Sequence, residues 1–507
     1  MNRRNSLLFN HQGSATLVVS AITMLAFAVR MIGLAEIPPR WDEGWSVAHA
    51  SLDVVSLLKI TAADVHPPLF YLLLSAWQSV IGVGLFTARY LSVLVSVPAI
   101  PLAYAVTRAW FNKAGSDSWR LALLAAAFMA WLPLGVYYSA VIRMYALAPT
   151  LVLLAAWAGL RLASGRASRA PGWIITAFVI GAAGTMLTLY HAIWTLAALA
   201  AYLILSVFRN RKALKAHHIQ WLAIAFLLSV IVFAPWAIFA IPQLLSRAAA
   251  GSSNIAQQYS FAYFLKVGLN GLTMSQQTGL WGITVMFAII VAGVISAVIR
   301  RAGRELYRLG FPVFAVAFTL AGVAYAARNW TINERMLICA IPALALLLAW
   351  ALNQLILRSR LLGTVAIIAL VGVYFNTSTS FVYQKTLEVF EPYNPHTYAQ
   401  HLAELTRPED IVVFNVLSPA GFYSLDRKPT DPAWSYALTW DPVIEPRARW
   451  DTRIAEIAKT HARIWVVLYR GLAGKNGDLR GWLDTNFYPA QAMWGEEEVF
   501  YGLYGSN

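Results

Sequence analysis

The sequence predicts an α-helical polytopic membrane protein that carries a small soluble α/β domain at its C-terminus. Of its 507 residues, 59% are apolar and only 12% are charged, against about 45–50% and about 25% in ordinary soluble proteins. Apolar runs of about 17 to 23 residues recur up to residue 376 and then stop. At 1.5 Å per residue, runs of this length cross a hydrocarbon core of ~30 Å. Residues 377–507 have ordinary soluble composition, with 12 Lys and Arg against 16 Asp and Glu.

The composition also excludes several classes of protein. A disordered chain has few aromatic residues and high charge, whereas 13% of this chain is aromatic. Cys339 is the only cysteine, which excludes a disulfide-stabilised secreted scaffold. The net charge of +15 would suit nucleic-acid binding, but it would equally suit membrane loops that obey the positive-inside rule. The positions of the cations favour the loops, so no nucleic-acid partner is expected.

Eleven apolar runs are predicted to cross the membrane. Their ranges are 15–33, 88–107, 120–137, 145–162, 173–190, 192–208, 218–240, 279–299, 311–327, 336–354 and 361–376. A twelfth apolar run, Leu69 to Gly82, directly follows two prolines and is ambiguous.

The basic clusters between the spans resolve this ambiguity. Five clusters hold sixteen Lys and Arg, accompanied only by Asp117 and Glu305. If residues 66–82 do not cross, all five clusters lie on the side of Arg3 and Arg4, and the positive-inside rule makes that side cytoplasmic. We therefore predict a juxtamembrane or re-entrant helix over residues 66–82. The N-terminus is then cytoplasmic, and the C-terminal domain lies outside the plasma (inner) membrane.

Two domains follow from this map: a transmembrane domain over residues 1–376 and a small extracytoplasmic α/β domain over residues 377–507. In the second domain the pattern predicts strands over 411–416 and 464–468 and helices over 395–405 and 451–459. The tracts Ser418-Pro419 and Gly474-Lys475-Asn476-Gly477 are typical of turns.

The acidic residues of the transmembrane domain gather on its outer side. The eleven spans contain no Asp, Glu or Lys. Apart from the two cytoplasmic acids, the acids up to residue 376 are Glu36, Asp42, Glu43, Asp53, Asp64 and Glu334. A charge in the bilayer is costly unless it is paired or faces a polar cavity. A polar site is therefore expected at the outer membrane surface.

Asp42 and Glu43 stand between two tryptophans, Trp41 and Trp45, in the first outer loop. A carboxylate there could act as a general base towards a hydroxyl group, with indole rings to contact a sugar. The structural alternative is a helix start, with Asp42 as N-cap, Glu43 in the first turn and the tryptophans at the membrane interface. The two interpretations are compatible, because a helix start also positions a carboxylate firmly.

Asp64 and His66 precede the ambiguous helix. Asp64 could cap this helix, with the two prolines after His66 in its first turn. Alternatively, both side chains could reach the same cavity as Asp42 and Glu43. Carboxylate and imidazole groups together can bind a divalent cation, so a metal near these four residues is an open alternative, although no cofactor is firmly implied.

Arginines on the same face supply the complementary charge. Arg143 lies between Tyr138 and Tyr145 at one outer turn, and Arg335 follows Glu334 at another. The planar guanidinium group binds phosphate through paired hydrogen bonds and stays charged. The alternatives are an interfacial anchor for either arginine or an ion pair between Arg335 and Glu334.

Carboxylates for a hydroxyl acceptor and arginines for a phosphate leaving group suit transfer of a group from a lipid phosphate. The sequence contains no Gly-rich phosphate loop for a nucleotide donor and no GxSxG motif. We predict Asp42 as the catalytic residue. The predicted substrate-binding residues are Glu43, Asp64, His66, Tyr138, Arg143, Tyr145, His191, Glu334 and Arg335.

Two other functions remain open. A transporter or flippase of lipid-linked sugars would use the same cavity, but the sequence lacks an internal repeat and mid-span ionisable groups, which are common in such proteins. A non-catalytic partner of a polymerase or ligase would use the C-terminal domain as its working part.

The tracts that contain these residues resemble a known family. They are Trp41-Asp42-Glu43, His66-Pro67-Pro68-Leu69-Phe70-Tyr71, Tyr137-Tyr138-Ser139 with Arg143-Met144-Tyr145, and Glu334-Arg335-Met336. They are similar to motifs of the GT-C class of membrane glycosyltransferases, family 39. This is the protein O-mannosyltransferase type, and its relatives include the lipid A aminoarabinose transferases.

The resemblance implies a GT-C catalytic domain over residues 1–376 and an inverting hexosyl- or pentosyltransferase. Its donor would be a polyprenyl-phosphate sugar, and its acceptor a hydroxyl of a glycolipid, polysaccharide or protein. Asp42 matches the first-loop acid proposed as base or acceptor binder, with Glu43 as its companion. Arg143 and Arg335 match positions expected to contact the donor phosphate or the cavity. Pro67 and Pro68 depart from the aminoarabinose enzymes, which have an acid and a lysine there.

Overall fold

The computed structural model describes residues 3–63, 66–111, 118–164, 172–210, 216–251, 280–326 and 334–373. In the C-terminal part it describes 402, 404–415, 417–428, 430–436, 450–469, 479–494 and 499–505. The chain divides into two compact units. The membrane unit comprises Met1–Ile32 and Ser92–Gln384, and the sheet unit comprises Gly33–Leu91 and Lys385–Asn507.

Most of the predicted first outer loop therefore folds with the C-terminal residues. This was not expected from the sequence, which assigned the loop to the domain of the membrane helices. The predicted boundary at residue 376 lies outside the described residues and stays a prediction.

Helices make up the chain as far as residue 373. In chain order they are α1 (Arg3–Met31), α2 (Trp41–Ala50), α3 (Val54–Ala63), α4 (Leu69–Ile81), α5 (Leu85–Ser96), α6 (Ala99–Phe111), α7 (Ser118–Trp131), α8 (Pro133–Ser139), α9 (Ala148–Ala163), α10 (Gly172–Met186), α11 (Ala192–Asn210), α12 (Ala216–Gly251), α13 (Leu280–Ile299), α14 (Gly303–Ala326), α15 (Ile341–Arg358) and α16 (Arg360–Val373). Two 3₁₀ turns, Met144–Ala146 and Glu334–Ala340, precede α9 and α15.

Every predicted span corresponds to a helix or to a pair of consecutive helices. Among the described residues, seven helical segments are long and apolar enough to cross a membrane: Gly13–Met31, Leu85–Phe111, Met144–Ala163, Ala192–Arg209, His218–Ser246, Gly282–Ile299 and Arg335–Arg358. The pair α7–α8, bent by 52°, would make an eighth. The other three predicted spans coincide with the shorter apolar helices α10, α14 and α16. The chain is thus built as a multi-pass membrane protein, while eleven crossings stay a prediction.

Prolines mark the breaks within two of these segments. Pro98 separates α5 from α6, because its ring has no N–H and clashes with the preceding turn. The hydroxyl of Thr150 donates a hydrogen bond of 2.7 Å to the carbonyl of Val95 near this break. Pro133 begins α8, where a missing N–H is harmless.

Helix α15 is buried along almost its whole length. Small residues let a neighbouring helix approach it closely: a Cβ added at Gly293 of α13 would lie 2.7 Å from the Cα of Ala351. Because α15 is buried, it restricts the position of the turn Glu334–Ala340, which directly precedes it.

The C-terminal part of the sheet unit is a five-stranded mixed sheet. Its elements are β1 (Ile411–Phe414), α17 (Leu417–Asp426), β2 (Ala433–Tyr436), α18 (Trp450–Ala458), β3 (Arg463–Tyr469), α19 (Leu479–Asn486), β4 (Tyr488–Trp494) and β5 (Val499–Gly505). The strand order is β2-β1-β3-β5-β4. Strand β1 is parallel to β2 and to β3, and β5 is antiparallel to β3 and to β4.

The predicted strands over 411–416 and 464–468 and the predicted helix over 451–459 are confirmed as β1, β3 and α18. The predicted turn at Ser418-Pro419 is wrong, because these residues lie in the first turn of α17, where proline is tolerated. The predicted helix over 395–405 and the turn at Gly474 to Gly477 lie mostly or wholly outside the described residues.

Alternating residues of the strands face two separate cores. One core joins Ile411, Val413, Ile464 and Val466 to α18 and α19. The other joins strand residues to α17, and it also includes Ala48 of α2, with Ile60 of α3. Helices of the first loop therefore help to cover one face of the C-terminal sheet. This connection places α2, which carries Asp42, inside the sheet unit.

Candidate functional site

Asp42 is the second residue of α2. The helix begins at Trp41, and Arg40 is its N-cap. The backbone N–H of Arg40 donates to Oε2 of Glu43 at 2.9 Å, as expected for an acid at the third position of a helix. The expectation that Asp42 caps this helix is therefore wrong, whereas Glu43 does lie in the first turn. The half-buried carboxylate of Asp42 lies near the positive end of the helix dipole.

Glu43 forms a fully buried ion pair with Arg89. Nε of Arg89 donates to Oε1 at 2.8 Å, and Nη2 donates to Oε2 at 2.7 Å. The same guanidinium group also donates to the carbonyls of Leu34, Ile37 and Pro38, at 3.0, 2.7 and 3.1 Å. Arg89 thus ties the segment before α2 to the first turn of that helix.

This network accounts for the burial of both charges. A buried ion pair is tolerated when further hydrogen bonds satisfy the remaining donors and acceptors, and here carbonyl oxygens and a backbone N–H supply them. The contacts give Glu43 a structural task. Its predicted contact with substrate stays a prediction.

The other described acids of the first loop have different surroundings. Oδ1 of Asp53 accepts hydrogen bonds from the N–H groups of Val55 and Ser56, both at 3.0 Å, and so caps α3. Glu36 is exposed, as is Asp53, and Asp64 lies outside the described residues. Among the described acids of this loop, Asp42 alone is half-buried.

Helix α4 packs against α2. Tyr71 of α4 stacks on His49 of α2 with ring centroids 5.1 Å apart, and Nδ1 of His49 lies 2.9 Å from the carbonyl oxygen of Trp45. Pro68 is the N-cap of α4, and His66 is half-buried just before it. With 13 residues, α4 spans roughly 20 Å and is shorter than a ~30 Å hydrocarbon core. It belongs with α10, α14 and α16 to the shorter apolar helices, so the prediction that it does not cross stays a prediction.

A metal site is not found among the described residues, where no group of three or more His, Cys, Asp or Glu side chains could hold an ion. Asp64 was not part of that set. The divalent cation near Asp42, Glu43, Asp64 and His66 stays a prediction, and Glu43 is already engaged by Arg89.

In the membrane unit, three predicted binding residues lie together. The rings of Tyr138 and Tyr145 meet edge to face with centroids 4.9 Å apart. The guanidinium carbon of Arg335 lies 5.8 Å from the ring centroid of Tyr145, within the range of a cation–π contact. These contacts connect the turn Met144–Ala146 to the turn Glu334–Ala340.

Arg143 stands at the start of the same turn and is 3% exposed. Its backbone is extended, and its N–H donates to the carbonyl of Val141 at 2.7 Å. A side chain so deeply buried does not act as an exposed interfacial anchor. The alternative ion pair of Arg335 with Glu334 involves a side chain outside the described residues.

His191 lies in the turn before α11. Burial lowers the pKa of its imidazole below the ordinary value, which favours the neutral form. The adjacent Tyr190 accepts a hydrogen bond of 2.8 Å from the indole of Trp236 in α12. The predicted contact of His191 with substrate stays a prediction.

Sequence reasoning gave no role to Arg89 or to Gly44, which lies beside Glu43. The signal for Arg89 was present, because a single cation at the start of the predicted span 88–107 needs a partner. Its partner could not be named from spacing, since Glu43 lies 46 residues away.

Residues 65–239 match the model of the dolichyl-phosphate-mannose-protein mannosyltransferase family. The match covers roughly a third of the chain, from just before α4 into α12. It confirms the resemblance to GT-C glycosyltransferases of the family 39 type that the motifs indicated. No curated protein matches the chain in sequence.

Two solved structures of ArnT from Cupriavidus metallidurans are similar over nearly the whole chain. The apo form has 14% identity and a TM-score of 0.59, and the match covers 97% of this chain and 98% of ArnT. The form bound to undecaprenyl phosphate has 12% identity and a TM-score of 0.54, with 96% and 97% covered. At this identity the likeness shows a shared fold.

Proposed function

We propose that the protein is an inverting glycosyltransferase. It moves a sugar from a polyprenyl-phosphate donor to a hydroxyl of a glycolipid, polysaccharide or protein at the outer face of the plasma membrane. The observation that carries this proposal is the position of Asp42, half-buried in a helix turn that the Glu43–Arg89 ion pair fixes. The family match supports the reaction class, and the ArnT structure with undecaprenyl phosphate supports the donor class.

The reaction is a single displacement. Asp42 accepts the proton of the acceptor hydroxyl while its oxygen attacks the anomeric carbon. The bond from that carbon to the phosphate oxygen breaks, and the lipid phosphate leaves with the electron pair. Attack opposite the leaving group inverts the anomeric configuration. A positioned base of this kind contributes typically ~10²–10⁴-fold.

The arginines of the membrane unit are proposed to bind the lipid phosphate. Arg143 and Arg335 carry charge at any relevant pH and suit the geometry of a phosphate. Arg335 is held against the ring of Tyr145, which restricts its side chain. Each donor that stabilises the developing charge in a water-poor site is worth about 10²–10³ in rate.

The proposal is tested by transfer of a labelled sugar from a short-chain polyprenyl phosphate, with purified full-length protein in detergent. Asp42→Asn should bind the donor and unfold at the same temperature as the wild type. Its turnover should fall at least about a hundredfold, because an amide cannot accept the proton. Asp53→Asn is the matched control: this exposed acid of the same loop caps α3, and the amide oxygen can still cap it.

The outcomes separate the competing functions. Near-normal turnover by Asp42→Asn would remove Asp42 as the base. Movement of the labelled lipid across vesicles without sugar transfer would identify a transporter or flippase instead. If the donor were consumed by hydrolysis alone, the proposed acceptor would be wrong, but the glycosyltransferase class would stand.

A further inference from the structure

Helix α2 packs more extensively on α17 than on its chain neighbours α3 and α4. The two helices lie 360 residues or more apart in sequence, yet they cross with their backbones in direct contact. A Cβ added at Gly421 of α17 would overlap the carbonyl oxygen of Gly44 and lie 2.8 Å from the Cα of Gly44. A Cβ added at Gly44 would meet the carbonyl oxygen of Ser418 and lie 2.6 Å from Cε1 of Phe422. Only glycine at both positions permits this crossing.

Further contacts fix α2 on both sides of the crossing. Towards its start, the ring of Trp41 meets Phe422 edge-on with centroids 6.4 Å apart. Towards its end, Ala48 is fully buried in the core that α17 shares with β1, β3 and β5. Since Gly44 is two residues from Asp42, the position of α17 determines where the Asp42 carboxylate lies.

We propose that Gly44 and Gly421 are positioning residues for Asp42, and that the C-terminal residues belong to the catalytic apparatus through α17. The proposal rests on the proposed function, in which Asp42 is the base. The physical reason is that the reaction rate depends strongly on the position of the catalytic group: a displacement of about 1 Å can lower the rate roughly a hundredfold. A methyl group at Gly421 meets backbone atoms, which no change of rotamer can move aside.

The test is Gly421→Ala in the full-length protein, measured by sugar transfer from a short-chain polyprenyl phosphate. We expect kcat to fall about ten- to a hundredfold, while KM for the donor changes less than about twofold. The midpoint of the acid limb in the pH profile of kcat should also move, because the surroundings of Asp42 change. If the substitution only reduced the fraction of folded protein, kcat would fall by the same factor at every pH and the midpoint would not move.

Two controls separate positioning from stability. Gly172→Ala in α10 adds a Cβ that meets nothing within 4 Å, so kcat should be unchanged. Leu483→Ala in α19 opens a cavity in the core on the other face of the sheet and so destabilises the fold. It should lower the unfolding temperature yet keep the pH midpoint and the kcat of the folded protein.

A second variant keeps the proposal testable if Gly421→Ala does not fold. In Gly44→Ala, two of the three atoms nearest to the new Cβ belong to the Phe422 ring. Adding Phe422→Leu should therefore restore part of the lost kcat. The same kcat and pH midpoint as the wild type in folded Gly421→Ala would overturn the proposal, as would a shift of the pH midpoint in Leu483→Ala. Near-normal turnover by Asp42→Asn would instead remove Asp42 as the base, and absence of sugar transfer by the wild type would overturn the proposed function.

Discussion

At the scale of single residues, Glu43 and Arg89 hold the candidate site by pairing with each other. Removing one partner of a buried ion pair leaves an uncompensated charge and costs about 3–5 kcal/mol, whereas replacing both with apolar residues is often neutral. We therefore expect Glu43→Gln and Arg89→Leu each to lower the unfolding temperature in detergent. The double variant Glu43→Leu/Arg89→Leu should recover part of that loss.

This comparison also tests the role predicted for Glu43 from sequence. If Glu43 contacted substrate and Arg89 were incidental, Glu43→Gln would raise KM without a change in unfolding temperature. The changes in unfolding temperature caused by the two single substitutions would then add in the double variant instead of compensating. Compensation in stability is the result expected from the hydrogen bonds of Arg89 to Glu43 and to the preceding carbonyls.

At the scale of elements, Asp410 joins β1 to β3. Burial raises the pKa of its carboxyl group, but hydrogen bonds from Arg463, the N–H of Arg407 and the indole of Trp465 outweigh burial and hold that pKa below its ordinary value. A carboxylate with a lowered folded pKa stabilises the fold above the unfolded pKa of about 3.9, and this contribution is lost as pH falls through the folded value.

Asp410→Asn should therefore lower the unfolding temperature of the full-length protein at pH 7, with a loss of about 2–3 kcal/mol for these charge-assisted bonds. The difference from wild type should shrink as the pH is lowered from about 4 towards 3. Glu409→Gln is the control, because this neighbouring acid is exposed. A difference that stays constant across this range would show that Asp410 is not ionised in the fold.

The elements differ in how far sequence determines them. The membrane helices were predictable because a single continuous run of apolar residues defines each one. Strands β1 and β3 were predictable for the same reason. The start of α17 was not, since Ser418-Pro419 reads equally as a turn and as a helix start. The close contact between Gly44 and Gly421 could not be predicted from the sequence, because it depends on two distant segments meeting and leaves no periodic pattern of residues.

At the scale of the whole molecule, the chain alternates between two units. It leaves the membrane unit at Ile32, contributes Gly33–Leu91 to the sheet unit, and returns at Ser92 before ending in the sheet unit. The first loop is thus an integral part of a folded body. The acid proposed for catalysis belongs to that body, and the arginines proposed for the lipid phosphate belong to the membrane unit.

The orientation of the molecule depends on α4, since a crossing there would invert every later loop. We expect residues 377–507 to lie outside and the basic loops inside, because an α4 that does not cross places all five basic clusters on the cytoplasmic side. Cys339 is fully buried, so engineered cysteines can be labelled against a low background. In intact cells a membrane-impermeant maleimide should label Glu409→Cys, whereas Ser164→Cys, exposed after α9, should react only after permeabilisation. The reverse pattern would make α4 a membrane span and place Arg161 and its cluster outside.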